Sequence, residues 1–375
     1  MPAFLQIKTF GKHKAIVWNI CWSVYGEFLV SCGADGIIFI WGLISNLYFV
    51  NYDKKMIIET QYFSNWDNLC KFESFLIFKS YRNISWSGSF NSFCVSSFSG
   101  AVHLCKIVFF NNKKSVYLEK RNSLFGPTCE VKSCDFSQNG ALICTSTRNK
   151  IVWLWEKQLG NIFDCFFILK QHESDIKCSK WYPRNKFLVT STYEGIIRFF
   201  TKDKKCVFYN GSITLLKSTI WLINFSKIGN QFIYCSNRGE LGIFDRKAKM
   251  KPGIRVLLFM LSYSSISFFS YSNITSTILY AGNEESINIL INWNFWIREK
   301  ELHVFYGGMI GNFRFNIETS AKYPHLGNIN CIVWHPKNDN IFASCADDML
   351  INIWYYAQSD LSYVNFVKTK KKQKI

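Results

Sequence analysis

The chain has six prolines in 375 residues, no C-x-x-C pair among fourteen cysteines, and 26 acidic side chains against 44 lysines and arginines. Scarce proline, with 49% hydrophobic and 18% aromatic residues, excludes disorder by composition and leaves ample apolar surface for a core. The nearest cysteines, Cys129 and Cys134, have no second pair at ligand spacing, so neither a metal site nor a cofactor is expected. Most cysteines sit in apolar strand patterns, such as Cys21 in "WNICW" and Cys32 in "FLVSC". There a free thiol behaves as a small hydrophobe, which fits a reducing compartment.

A signal-peptide core is also lacking, since "MPAFLQIKTFGKHK" reaches lysine by position 8, and secretion is not implied. The uncharged stretch 256–281 is long enough to span a bilayer, but nine Ser and Thr residues and one Asn argue for sheet instead of insertion. No membrane association is expected. A net charge of +18 favours acidic partners in general. The lysines are spread along the chain, however, and cluster only in "KTKKKQK" (368–374). Residues 368–375 read as a solvated basic tail, with a nuclear import signal as the alternative. With no RNA-recognition motif, nucleic acid is not the expected partner.

What is present is a repeat. Two anchors, each closing an apolar strand pattern, lie 19 residues apart in Trp22–Trp41, Trp86–Cys105, Phe136–Trp155, Trp181–Phe200 and Phe225–Phe244. Trp334–Trp354 are 20 apart, and a weaker sixth unit runs Phe268 to Leu290 at 22. Between first anchors the steps are 64, 50, 45, 44, 43 and 66. The long steps place insertions within 42–78 and 291–322, expected as loops or strand extensions. Inside a unit, "IVWNICW", "FLVSC" and "IIFIW" are strands separated by the turns "SVYGE" and "GADG". An antiparallel meander repeated near the 40–45-residue period resembles WD40 blades. The expected fold is all-β, a seven-bladed WD40 propeller over residues 1–367, closed by "AFLQIKT" (3–9) as the last strand of the last blade.

Two units carry a recurring polar set: His13, Ser31, Asp35 and Trp41, and again His325, Ser344, Asp348 and Trp354. Ser, His and Asp could suggest hydrolysis, but the set repeats, ends on Trp and lacks a nucleophile elbow, so it resembles the structural tetrads of WD40 blades. His172 falls at the same upstream position in the fourth unit, while Asn149, Glu194 and Arg238 replace the Asp in units three to five.

The start of each first strand and the turn after the second strand belong to one face of such a disc. Four residues before the first anchors stand Trp18, Arg82, Lys132, Lys177, Trp221, Ser264 and Asn330. Before the Asp position stand Ala34, Phe98, Arg148, Tyr193, Asn237, a residue near Glu284, and Asp347. This is an aromatic and basic rim, of the residue types that make interface hot spots.

At these positions the sequence resembles a known family. "EVKSCDFSQNGALICTSTRNKIVWLWE" (130–156), "DIKCSKWYPRNKFLVTSTYEGIIRFF" (175–200) and "NINCIVWHPKNDNIFASCADDMLINIWYY" (328–356) are similar to the third, fourth and seventh blades of the WD-repeat protein of cytosolic iron-sulfur assembly (CIA), the Ciao/Cia family. Residues 16–42 are similar to its first blade. The resemblance implies a cytoplasmic, and also nuclear, non-enzymatic adaptor of the CIA targeting complex. Its implied partners are a small α+β CIA adaptor, a HEAT-repeat CIA adaptor and iron-sulfur apoproteins, some of which offer a C-terminal tail ending in an aromatic. Arg148 stands where the family has an exposed recognition arginine. "RFFTK" (198–202) lacks the Leu-Tyr-Arg tripeptide of some relatives, and Ser264 stands where the family has an aromatic. A different WD40 scaffold, such as a ubiquitin-ligase substrate receptor or chromatin adaptor, is the alternative.

Overall fold

A computed structural model describes residues 3–43, 65–73, 80–88, 92–110, 115–159, 162–183, 187–203, 206–215, 218–226, 229, 231–245, 256–260, 265–272, 278–282, 286–290, 304–305, 317–322 and 324–357. The described residues are all-β and form a propeller. The strand β1 (Ala3–Phe10) precedes the first sheet, β2 (Val17–Trp22), β3 (Leu29–Gly33), β4 (Ile37–Leu43) and β5 (Trp66–Glu73). Next come β6 (Tyr81–Trp86), β7 (Ser92–Ser97), β8 (Val102–Phe110) and β9 (Ser115–Leu124). The third sheet is β10 (Val131–Phe136), β11 (Leu142–Thr147), β12 (Val152–Lys157) and β13 (Phe163–Leu169). The fourth is β14 (Ile176–Trp181), β15 (Phe187–Thr192), β16 (Ile196–Asp203) and β17 (Cys206–Thr214).

The fifth sheet holds β18 (Ile220–Phe225), β19 (Gln231–Ser236), β20 (Glu240–Asp245) and β21 (Val256–Met260). The sixth holds β22 (Ile266–Tyr271), β23 (Ile278–Gly282), β24 (Ser286–Leu290) and, beyond β25 (Val304–Phe305), β26 (Ile317–Lys322). The strand β25 joins the fifth sheet, parallel to β21. The seventh sheet is β27 (Ile329–His335), β28 (Asn338–Ala346) and β29 (Ile351–Ala357), with β1 antiparallel to β29 from Ala3↔Ala357 to Phe10↔Ile351. The innermost strands touch in the order β2, β6, β10, β14, β18, β22, β27, and β27 touches β2 again.

No sheet buries both faces alone, so the core lies between sheets. One cluster joins Val17, Trp41 and Phe10 to Ile341 and Ile353; another joins Val30 and Ile40 to Phe93 and Val95. The uncharged stretch 256–281 contributes β21, β22 and β23. Among the described residues no helix is long and apolar enough to cross a membrane. Strand β5 falls within 42–78, and β25 and β26 within 291–322, so part of each insertion is sheet. Residues 44–64 and the basic tail 368–375 lie outside the described residues.

The sixth unit corrects the repeat register. The last residue of the first strand faces the second strand as Trp22↔Leu29, Trp86↔Phe93, Phe136↔Ile143, Trp181↔Leu188 and Phe225↔Phe232. In the sixth sheet that pair is Tyr271↔Ile278, not one made by Phe268. With Tyr271 as anchor the distance to Leu290 becomes 19, as in five other units. The residue four before the anchor is then Ser267, while Ser264 lies outside the described residues.

An innermost strand is an edge strand whose N–H groups need partners. Side chains of the preceding sheet supply them. Ser85 Oγ accepts from Phe136 N–H at 3.1 Å, Asp135 Oδ2 from Trp181 N–H at 2.9 Å and Ser270 Oγ from Trp334 N–H at 3.0 Å. Two residues earlier, Asn19, Asn83 and Ser133 accept from Ile84, Cys134 and Ser179 N–H at 3.3, 3.2 and 3.3 Å.

Candidate functional site: the channel mouth and its rim

The two sets of rim positions are tied together by backbone. The turn N–H of Ala34, Phe98, Arg148, Tyr193, Asn237 and Asp347 each donates to a carbonyl just before the first strand, of Ile16, Ser80, Glu130, Asp175, Thr219 and Asn328, at 2.8–3.1 Å. Both sets therefore share one face. Trp18, Arg82, Lys132, Lys177, Trp221, Ser267 and Asn330 are all half-buried and line one cavity of about 510 Å³ at the centre of the ring. Phe98, Arg148, Tyr193 and Asn237 stand exposed around it.

The mouth is wired by charge and ring contacts. The Arg82 guanidinium lies 4.4 Å over the Trp18 ring, and Phe98 is 6.1 Å from Trp18. Lys177 Nζ lies 5.0 Å from the Tyr193 ring and 5.3 Å from Trp221, whose Nε1 donates to Asn237 Oδ1 at 3.3 Å. Asn330 Nδ2 donates to Asp347 Oδ1 at 2.8 Å and to the Val17 carbonyl at 3.1 Å. Arg148 and Lys150 are exposed at the turn between β11 and β12, with no ion pair among the described residues.

Sequence reasoning missed the acids of this rim. Glu130 Oε2 pairs with Lys132 at 2.9 Å, its Oε1 lies 3.8 Å from Arg82, and Asp175 lies 3.7 Å from Lys177. The signal was present in "EVK" and "DIK": residues two apart on an extended chain project to the same side. Burial first, then Lys132 and Arg82, lower the Lys177 pKa, against Asp175 and Glu130, which raise it.

The structure brings both tetrads together. Trp41 Nε1 donates to Ser31 Oγ at 2.9 Å, Ser31 Oγ meets His13 Nε2 at 2.8 Å, and His13 Nδ1 meets Asp35 Oδ2 at 2.8 Å. Trp354, Ser344, His325 and Asp348 repeat this at 2.8, 2.7 and 2.9 Å. One proton assignment satisfies every link: indole N–H to hydroxyl, hydroxyl to Nε2, and Nδ1–H to carboxylate. Burial would raise the Asp35 carboxyl, but the bonds from His13, Lys14 N–H and Ile37 N–H outweigh it and hold the pKa below the usual value. The third sheet keeps only Trp155 Nε1 to Thr145 Oγ1 at 3.1 Å, and the fourth only His172 Nε2 with Thr190 Oγ1 at 2.9 Å.

All fourteen cysteines are free thiols, and only Cys165 and Cys206 are exposed. Burial pushes Cys21 and Cys105 up to about 12, which makes them poor thiolate donors. Among the described residues no group of three His, Cys, Asp or Glu side chains could hold a metal ion.

The geometry of three-stranded meanders ending in Ser–Trp tetrads invites comparison with repeat families, and a WD domain, G-beta repeat model matches residues 4–42, 118–156, 163–201 and 318–355. Those four stretches match WD40 repeats. Each matched stretch begins on the outer strand of one sheet and ends with the third strand of the next; for the first stretch that outer strand is β1. The chain is similar to a Caenorhabditis elegans protein named probable cytosolic iron-sulfur protein assembly protein CIAO1 homolog, at 27% identity over 38% of this chain and 36% of the relative. It is 30% identical to a Chaetomium globosum probable cytosolic iron-sulfur protein assembly protein 1, over 21% of this chain and 23% of the relative. A Dictyostelium discoideum CIAO1 homolog is 44% identical over 11% of this chain and 12% of the relative. The matches thus span little more than a third of those relatives' length, or less.

Proposed function

We propose that this chain is a non-enzymatic cytoplasmic adaptor for iron-sulfur protein assembly, a seven-bladed propeller closed by its N-terminal strand that recognises apoprotein clients at its basic, aromatic rim. Seven sheets in a ring and the pairing of β1 with β29 support the architecture. The observation that carries the function is the convergence of Trp18, Arg82, Lys132, Lys177, Trp221 and Asn330 on one mouth in a WD40 chain similar to proteins named for cytosolic iron-sulfur assembly. Cations beside aromatic rings suit an acidic segment carrying an aromatic, since carboxylates pair with Arg and Lys while rings stack. The chain would work with a small α+β adaptor and a HEAT-repeat adaptor, in cytoplasm and nucleus, with the cluster as cargo.

Arg148 is the test of the rim, being exposed and outside the ion pairs of the mouth. Arg148→Glu is expected to lower recovery of iron-sulfur apoproteins in pull-downs at least fivefold while the melting temperature stays within about 2 °C, because exposed substitutions shift stability little. Unchanged client recovery would count against the reading; recovery of ligase subunits or histones in place of apoproteins would assign the rim to another cargo.

A further inference from the structure

Three cations face one cavity at the centre of the ring, and their carboxylate partners do not fill their donors. Arg82 has five N–H donors and meets Glu130 at 3.8 Å; Lys177 has three and meets Asp175 at 3.7 Å, both beyond hydrogen-bond range. Lys132 alone makes a close pair, 2.9 Å to Glu130. The ring contacts of Arg82 with Trp18 and of Lys177 with Tyr193 and Trp221 orient the cations without occupying an N–H. Beneath the guanidinium the Trp18 indole N–H is buried with no acceptor among the described residues, a further unmet donor.

The like charges also act on one another. Lys132 and Arg82 lie close enough to Lys177 to lower its pKa along with burial, and side-chain exposures of 27%, 15% and 11% for Arg82, Lys132 and Lys177 leave little water to screen the repulsion. Deeper in the channel Lys180 adds a fourth cation, but Asp135 at 2.7 Å neutralises it. Asp347, on the Asn330 side of the cavity, is held by Asn330 and Asn328.

We propose that the channel mouth between Arg82, Lys132 and Lys177 is a binding site for one oxyanion, a carboxylate or a phosphate group. An incoming oxyanion completes the unfilled donors of Arg82 and Lys177 with charge-assisted bonds and cancels the repulsion among the three cations. The inference deepens the reading of the rim as a recognition surface and rests on it only for the source of a carboxylate.

Calorimetric titration of the full chain at constant ionic strength tests it, with inorganic phosphate in one arm and a glutamate-containing, C-terminally amidated pentapeptide in the other. Saturable binding in either arm supports the site, and the arm that binds identifies the source. Arg82→Gln and Lys177→Gln are each expected to weaken binding about tenfold or more, Lys177→Arg to retain it, and Lys337→Gln, which removes an equal charge away from the mouth, to leave it within twofold. Binding no stronger than chloride in both arms overturns the proposal. So does equal weakening by Lys337→Gln, which would mean a general field. If Lys177→Gln fails to fold, Lys177→Arg against Arg82→Lys decides by the same readout. Client capture is scored separately with Arg148→Glu, so failure of the adaptor reading leaves this titration standing.

Discussion

At the scale of single residues, the buried polar sets make stability depend on pH in one direction. Burial first, and then Arg198, lower His172 to about 4; burial and Lys337 lower His335 to about 4 despite the Gly26 carbonyl. Unfolded histidine titrates near 6.5. Between those values the unfolded chain takes up protons that the folded chain refuses, so stability present above pH 6.5 is lost as the pH falls toward 4. Asp35 and Asp348, held below the usual value, add to the loss at still lower pH. The unfolding free energy from urea titrations should fall from pH 7 to pH 5 by on the order of 1–2 kcal/mol per histidine, and His172→Gln should flatten that slope. An unchanged slope would mean His172 is not held neutral. Ser31→Ala should cost about 1–3 kcal/mol, since it strands both the Trp41 N–H and His13 Nε2, whereas Thr145→Val, with one indole bond to lose, should cost less. The tetrads were legible because Ser, Asp and Trp recur at fixed spacing with a His 18 or 19 residues before the Ser. Glu130 and Asp175 were not, because an acid two residues before a lysine reads equally as a solvated strand start.

At the scale of elements, the repeat was legible wherever one aromatic closes the first strand, and the sixth unit shows what removes that signal. "ISFFSYSN" offers Phe268, Phe269 and Tyr271 in a Ser-rich, uncharged run, so no single ring marks the strand end. Choosing Phe268 over Tyr271 slips the register by three, an odd number, which exchanges the two faces of the strand. In the structure Phe268 lines the central cavity instead. The links between innermost strands were also hidden, because an Asn, Ser or Asp facing the channel has no period of its own. Asp135 is the strongest of them, accepting from Trp181 N–H at 2.9 Å, Lys180 Nζ at 2.7 Å and Ser85 Oγ at 3.3 Å. Burial would lower the Lys180 pKa, but Asp135 more than offsets it, so the ammonium depends on that carboxylate. Asp135→Asn should destabilise by about 3–5 kcal/mol by leaving a buried charge unpaired, while Asp135→Asn with Lys180→Met should recover most of it. Additive losses in chemical denaturation would show that the pair is not coupled.

At the scale of the whole molecule, the eight-residue strand β1 links the last sheet to the first. Through β1 the seventh sheet gains a fourth strand, with Gln6 Nε2 and Thr9 Oγ1 donating to Asn352 Oδ1 at 3.0 and 2.9 Å. The same strand reaches the first sheet, where the Phe10 ring stacks on Trp41 at 4.4 Å. One strand thus belongs by hydrogen bonding to the last sheet and by packing to the first, and Trp41 is itself the donor end of the His13 tetrad. Removing residues 1–10 would open the edge of β29, expose Trp41 and leave the first and last sheets joined through β2 against β27 and β28 and the apolar cluster around Trp41. We expect that truncation to lower the melting temperature by more than 10 °C and to split one calorimetric transition into two, because sheets that touch only their neighbours lose cooperativity once the ring is cut. Phe10→Ala, which keeps the strand and removes the stack, should cost about 3 kcal/mol, whereas Phe98→Ala at the exposed rim should cost less than about 0.5 kcal/mol. A single unshifted transition in the truncated chain would mean that closure resides in the β2–β27 contact, with β1 an accessory strand.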